Sequence, residues 1–320
     1  ARLPDPRLAA YLALYRRDLA AARELLPRDR FPIELSQVLT LCEGREAELA
    51  EAAMIFEAQN RPVLAARVHA TLGKLPSAAR CYRQLLDDDK LGPYEQALVH
   101  FQLAVTLHRQ DAHDISCRRH AALAQGLLET LADAHEEAGD LERALDCYRL
   151  YIRLGQALRS IENIAEGYAS CLRLLKDERR TLDVLRHYEE LLRVCAEYGE
   201  HHLLAEKCCE AASYLEREHL DWSLHYRRRA AEALTQAFAH NEERGGPLQL
   251  GESTLLQAAA AYNSLDDFVA VGRSFAALGG LLGRVPGEEA RAAHYSALAE
   301  RYPKAAASDG DDDEPAPEFR

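Results

Sequence analysis

The chain has 320 residues, a formal net charge of −13, 48% hydrophobic residues and 28% charged residues. That length buries a sizeable core, as two globular domains or one continuous array, and a composition led by alanine and leucine with few β-branched runs reads as all-α. Ser308–Arg320 carries −5 of the charge, and the −8 left on the body excludes a general nucleic-acid binder, which needs a basic face to neutralise phosphates.

Eight cysteines, Cys42, Cys81, Cys117, Cys147, Cys171, Cys195, Cys208 and Cys209, form no C-x-x-C pair, and most sit on apolar helix stripes. They read as small core residues in a reducing, cytoplasmic compartment. The sequence contains no 18-residue apolar run for a membrane span and opens on no basic-then-apolar signal segment.

Asp5-Pro6 predicts a helix start, with Leu8, Tyr11, Leu12, Tyr15 and Leu19 as its apolar stripe and Pro27 as its end. Pro32 opens a short helix that Gly44 closes, and a third runs from about 45 to 59. Residues 1–60 thus read as degenerate repeats or an N-terminal cap. A repeat array follows over 61–241. Its helices are predicted at about 62–72 with 76–87, 94–109 with 115–124, and 126–138 with 141–154, where Gly155 breaks the chain. Longer pairs follow at 158–175 with 179–198 and at 201–217 with 220–240. The polar loop Glu242–Gly251 is the best internal boundary. A last hairpin and a capping helix fill 252–302, and 303–320 is an acidic tail that reads as disordered.

The array is clearest around Gly139. Leu128, Leu131, Ala132 and His135 form one apolar stripe, Gly139 can take the left-handed conformation that closes a helix, and Asp140 can cap the next. Leu141, Ala144, Leu145 and Tyr148 then recur at three- and four-residue spacing. Ala66, His69, Gly73, Leu75, Ala78, Cys81, Tyr82 and Arg83 repeat as Ala132, His135, Gly139, Leu141, Ala144, Cys147, Tyr148 and Arg149. The offset is two units of a size that marks a helical solenoid. This order of small residue, turn glycine, small residue and aromatic resembles the tetratricopeptide-like repeat superfamily. The resemblance implies a right-handed α-solenoid of helical hairpins, whose first helices line a concave surface that binds a protein or peptide.

Candidate chemistry is sparse. His201, His202, Cys208 and Cys209 suggest zinc, but seven helical residues span about 10.5 Å, too far for ligands that must lie about 2.0–2.3 Å from one ion. His108, Asp111, His113 and Asp114 make a polar turn in which Asp114 serves as a helix cap. His69 and His135 recur at the repeat offset, which favours a structural role. Arg227-Arg228-Arg229 reads as a solvated helix face. With no phosphate loop, nucleophile elbow or H-E-x-x-H present, no catalytic residue, cofactor or metal is expected.

The expected function is a non-enzymatic scaffold or adaptor, the alternative being a regulator whose array changes curvature on binding a ligand or peptide. On the resemblance, Glu129, Asp133, Glu136 and Glu137, extended by Glu162 and Glu166, form an acidic strip on the concave side. Arg67, Phe101, Val105, His108 and Arg109 take the corresponding upstream places. The asparagines and lysines with which the family clamps a terminal carboxylate are missing from these faces. The groove is therefore expected to prefer a protein segment with basic residues at one end and an apolar anchor near Phe101.

Overall fold

The computed structural model describes residues 5–16, 18–41, 45–87 and 91–303. The described chain is a succession of sixteen α-helices without a strand. Of the residues expected to form the acidic tail, 304–320 lie outside the described residues, as do Cys42 and Gly44. The chain divides into two compact units, Ala1–Leu174 and Leu175–Arg320.

The first unit opens with α1 (Pro6–Tyr15) and α2 (Leu19–Leu25) in place of one continuous helix, because Asp18 accepts from the Ala21 amide and restarts the helix. Most of the expected stripe is not buried, Leu19 alone packing against the core. Leu8, Tyr11, Leu12 and Tyr15 stay exposed, and Ala10 faces the core instead. Next come α3 (Pro32–Thr40), α4 (Glu46–Ala58), α5 (Pro62–Thr71), α6 (Leu75–Leu86) and α7 (Pro93–Gln110). Helix α8 (Ile115–Glu137) merges two predicted helices into one. Its buried stripe, Cys117, Ala121, Ala124, Leu128 and Ala132, runs on without interruption past Gly126, and a lone helical glycine costs only about 1 kcal/mol.

Helix α9 (Leu141–Leu158) likewise passes through Gly155, which was expected to break it. That glycine serves close approach. A Cβ there would meet the Ile164 backbone nitrogen at 2.9 Å, and one at Gly167 would meet the Ile152 side chain at 2.7 Å. Each isoleucine therefore fills the place of the side chain its partner glycine lacks, across α9 and α10 (Ile161–Asp177).

The second unit contains α11 (Thr181–Tyr198), α12 (His201–Leu215), α13 (Leu220–Glu243), α14 (Leu248–Asn263), α15 (Phe268–Leu282) and α16 (Glu289–Ala299). Helix α14 begins inside the polar loop expected over 242–251. Tyr188, Leu191, Cys195, Cys208 and Tyr226 are fully buried in this unit. A smaller cluster of Phe238, Leu255 and Leu278 is flanked by Phe275 stacked on Tyr295.

In both units most contacts between helices join neighbours in sequence, α7 with α8, α8 with α9, α12 with α13 and α13 with α14 among them. This is the contact pattern of a tetratricopeptide-like hairpin array. Among the described residues, eight helix ends close in the same way. A residue with positive φ (Asn60, Gly73, Gly139, Arg159, Arg179, Gly199, Gly245 or Asp266) is followed by an amide that donates to the carbonyl five residues back, at 2.8–3.1 Å. This Schellman turn satisfies the last carbonyls of one helix and reverses the chain into the next. The expected equivalence holds across the 66-residue offset. Ala66, Ala78, Cys81 and Tyr82 are buried, as are Ala132, Ala144, Cys147 and Tyr148, with Gly73 and Gly139 at φ 70° and 73°.

Gly139, which closes α8, and Gly126 within it should answer alanine with opposite signs. Gly139→Ala places a Cβ in the left-handed region and should cost about 1 kcal/mol. Gly126→Ala adds a Cβ to a helical site with nothing within 4 Å and should stabilise by about 0.5–1 kcal/mol. Paired thermal or denaturant melts check both.

Candidate functional site

The residues expected to contact a partner lie on four helices of the first unit. Arg67 is exposed on α5. On α7, Phe101, Val105 and His108 are half-buried and Arg109 is exposed. On α8, Glu129 and Glu136 are half-buried and Asp133 and Glu137 exposed, while Glu162 and Glu166 are exposed on α10. Phe101 and Val105 pack onto the core cluster of Ala104, Ala121, Ala124 and Leu154, so much of the expected apolar anchor is already engaged within the protein.

The acids of α8 and α10 are brought together over two phenols of α9. The buried Tyr148 hydroxyl donates to Glu136 Oε1 at 3.0 Å, and Arg173 closes on both oxygens of the same carboxylate at 2.8 and 3.0 Å. The Tyr151 hydroxyl, also buried, donates to Glu166 Oε2 at 2.6 Å. At the edges, Gln125 donates to Glu129 and Ser160 to Glu162. Burial, the bond to Glu136 and the nearby charge of Asp133 push the Tyr148 phenol up to about 12. Tyr151 is driven upward in the same sense by burial, by its bond to Glu166 and by the charge of Glu129. Both phenols therefore remain protonated donors at neutral pH. Burial alone would raise the Glu136 carboxyl, but the bonds from Arg173 and Tyr148 outweigh it and hold the group below its ordinary value of 4.5.

The strip is consequently of two kinds. Glu136 and Glu166 are acceptors for buried phenols, and Glu136 is neutralised by Arg173. Asp133 and Glu137 are exposed, and with Glu129 and Glu162 at the edges they contribute most of the free negative charge. In the second unit Glu189 plays the part of Glu136, accepting from the Tyr226 hydroxyl and pairing with Arg229 at 2.7 Å.

A second cluster was not anticipated: the sequence placed His69 and Cys81 in the repeat separately and did not connect them with Glu57. Glu57 on α4, His69 on α5 and Cys81 on α6 present one ligand atom each, all within 4.8 Å of one another. His69 Nε2 lies 2.9 Å and Cys81 Sγ 3.7 Å from Glu57 Oε1, and Arg80 reaches the same oxygen at 2.9 Å. The signal that could have found it is the spacing, acid, histidine and cysteine at successive intervals of twelve residues. A cleft of about 540 Å³ in the second unit was also unanticipated. It is lined by α13, α14 and α15 and edged by Arg228, Glu232, Tyr262 and Arg273.

The expected helix caps fall where predicted. Asp5, Asp114 and Asp140 accept from the amides of Arg7, Ser116 and Arg143. Arg227 and Arg229 of the basic run are paired with Glu216 and Glu189. Among the described residues, Cys81, Cys117, Cys147, Cys171, Cys195 and Cys208 are buried thiols and Cys209 is exposed. No helix among the described residues is long and apolar enough to cross a membrane.

No protein-family model matches the chain, and no curated protein matches it. Solved structures do. A signal-transduction ATPase with numerous domains and a tetratricopeptide repeat sensor, from Pyrococcus horikoshii, is 11% identical, with 90% of this chain aligned to 54% of that one at a TM-score of 0.28. This chain therefore spans about half the length of that protein. The apo form of RapI is 12% identical over 92% of this chain and 79% of that one, at a TM-score of 0.29. A human IFIT1 dimer with PPP-AAAA is 14% identical over 92% and 81%, at a TM-score of 0.24. At such TM-scores the fold assignment rests on the chain's own hairpins and turns.

The phenol–carboxylate pairs should behave asymmetrically. Tyr151→Phe leaves Glu166 to water and should cost about 1 kcal/mol, whereas Glu166→Ala strands a buried hydroxyl and should cost about 1–3 kcal/mol. Urea melts of both variants test the order. The depressed Glu136 carboxyl also sets a pH dependence. Its contribution to stability is complete above its ordinary value of 4.5 and is lost as pH falls through the lower folded value. Unfolding free energy should therefore drop on acidification below about pH 4.5, and less steeply in Glu136→Gln. Denaturation at several pH values measures the difference.

Proposed function

We propose that the protein is a non-enzymatic adaptor, and that the strip over α8, α9 and α10 receives a basic segment of a protein partner. The supporting observation is the gathering of Glu129, Asp133, Glu136 and Glu166 over Tyr148 and Tyr151. Carboxylates held by buried phenols are ordered before a partner arrives, so less side-chain entropy is lost on contact. The free charge around them supplies orientation and encounter rate more than affinity, since exposed pairs are worth only about 0–1 kcal/mol each.

The half-buried Phe101 and Val105 and the cations Arg67 and Arg109 continue the proposed surface upstream. Because Phe101 is partly committed to the core, the partner's apolar contribution on this reading is modest and the interaction mainly electrostatic.

The variant that tests the strip must leave Glu136 and Glu166 in place, because reversing either would disturb Tyr148 or Tyr151 beneath. Glu129→Lys, Asp133→Lys and Glu137→Lys are combined, and binding is measured to the partner co-purified from the native host, at low and at moderate salt. Affinity should fall in the variant, and the salt dependence seen in the wild type should flatten or invert. Affinity and salt dependence both unchanged would exclude the strip as the binding surface.

A further inference from the structure

Three successive helices of the first unit place a carboxylate, an imidazole and a thiol around one point. We propose that Glu57, His69 and Cys81 bind a single thiophilic divalent cation, with Zn²⁺ as the ion that fits best. This site is separate from the acidic strip and does not depend on the adaptor reading.

The donor set carries the choice of ion. One thiolate, one imidazole nitrogen and one carboxylate oxygen suit Zn²⁺, whereas Ca²⁺ and Mg²⁺ take oxygen ligands. The geometry is close to what the ion requires. Around a tetrahedral Zn²⁺ the nitrogen–oxygen edge is ~3.3 Å and the sulfur–oxygen edge ~3.6 Å. The protein holds His69 Nε2 at 2.9 Å and Cys81 Sγ at 3.7 Å from Glu57 Oε1. Opening the first pair by a few tenths of an ångström, and bringing the nitrogen–sulfur edge, which lies within 4.8 Å, to ~3.6 Å, admits the ion, and Glu57 is the group free to move. Its side chain is 35% exposed, against 11% for His69, and Cys81 is buried at 3%. Imidazole and thiol thus form a fixed floor, the carboxylate forms a movable wall on the solvent side, and the fourth position is left for water.

The protons can be accounted for. Burial, then the charge of Glu57, hold the Cys81 thiol protonated in the metal-free protein, and a coordinating cation reverses that by binding the thiolate and releasing the proton to solvent. His69 Nδ1 is buried and has no partner. Moving the imidazole proton there, so that Nε2 presents its lone pair, gives up the Nε2–H bond to Glu57 and leaves the Nδ1–H without an acceptor, two costs that the new bond from Nε2 to the cation must offset. Zn²⁺ with one thiolate and one carboxylate is neutral. In the metal-free protein Arg80, 67% exposed, supplies the positive charge beside Glu57 instead.

The repeat offers an internal contrast. His135 and Cys147 stand 66 residues beyond His69 and Cys81, but the place of Glu57 is taken by Leu123, which lies on the same helix as His135. The imidazole–thiol pair is thus a feature of the repeat, and the acid that completes a ligand set is present only at the α4–α5–α6 site.

Co²⁺ is the probe. Chelator-treated full-length protein is titrated with Co²⁺ and its absorption followed, and Zn²⁺ is then added in competition. One equivalent should give a thiolate-to-cobalt charge-transfer band with tetrahedral d–d bands, displaced stoichiometrically by Zn²⁺. Cys81→Ser should abolish the charge-transfer band and Cys209→Ser should leave it. Outer-shell partners already cost about 10–100-fold in affinity when removed, so the direct ligand change Glu57→Gln should weaken binding at least tenfold. Arg80→Ala, which removes a competing cation, should tighten it several-fold, a change a purely structural cluster would not produce. Far-UV circular dichroism confirms that each variant folds; should Cys81→Ser fail, the solvent-facing Glu57→Gln decides. No band in the wild type at one equivalent would overturn the site, as would a band that survives in folded Cys81→Ser, disappears with Cys209→Ser, or keeps its affinity in Glu57→Gln.

Discussion

The central part of this chain depends on one local constraint, the left-handed residue at the end of a helix. An array of antiparallel helices must reverse direction at every junction and must satisfy the carbonyls that each helix end leaves open. At eight junctions among the described residues, between Asn60 and Asp266, the protein solves both problems with one turn. Four of the eight positions are glycine, where positive φ is free of Cβ strain. Asn60, Arg159, Arg179 and Asp266 hold the same conformation with a side chain, at a cost of about 1–2 kcal/mol each that the packing on either side must offset.

That division explains what could be read from the sequence. The junctions at Gly73, Gly139 and Gly199 are visible because glycine announces them, and the apolar periodicity on each side agrees. Arg159 and Arg179 carry no such mark. There the helices could be placed but not the reason for their ends, and Gly155 attracted a break that belongs four residues later. The glycine has a different task, admitting Ile164, and sequence cannot tell a glycine needed for φ from one needed for room. The exposed stripe of α1 failed for a related reason. Period predicts which side chains share a face, but only the neighbouring helices decide whether that face is covered.

The polar contacts were less legible. Glu57 to His69 and Glu136 to Tyr148 both join residues twelve apart, as does the contact of Lys176 Nζ with the Tyr188 hydroxyl at 2.7 Å. Each links a position late in one helix to a ring on the next, across the same kind of turn. The spacing follows from the hairpin once the hairpin is known, but acid, base and ring types vary among the three, so residue identity alone shows no motif. The acidic strip could be located as a helix face. What lies beneath it, and the fact that Arg173 neutralises part of it, could not.

The phenols under that strip have a consequence for how the surface can change over time. An exposed acid such as Glu137 can be exchanged for another polar residue with an effect only on the field it projects. Glu136 and Glu166 have no such freedom, since each completes a hydrogen bond that begins in the interior. In a related chain that had lost its partner altogether, the unattached acids would be free to drift while those two persisted. An acid retained at either position would then testify to the folding of α9, and the record of binding would have to be sought at Glu129, Asp133 and Glu137.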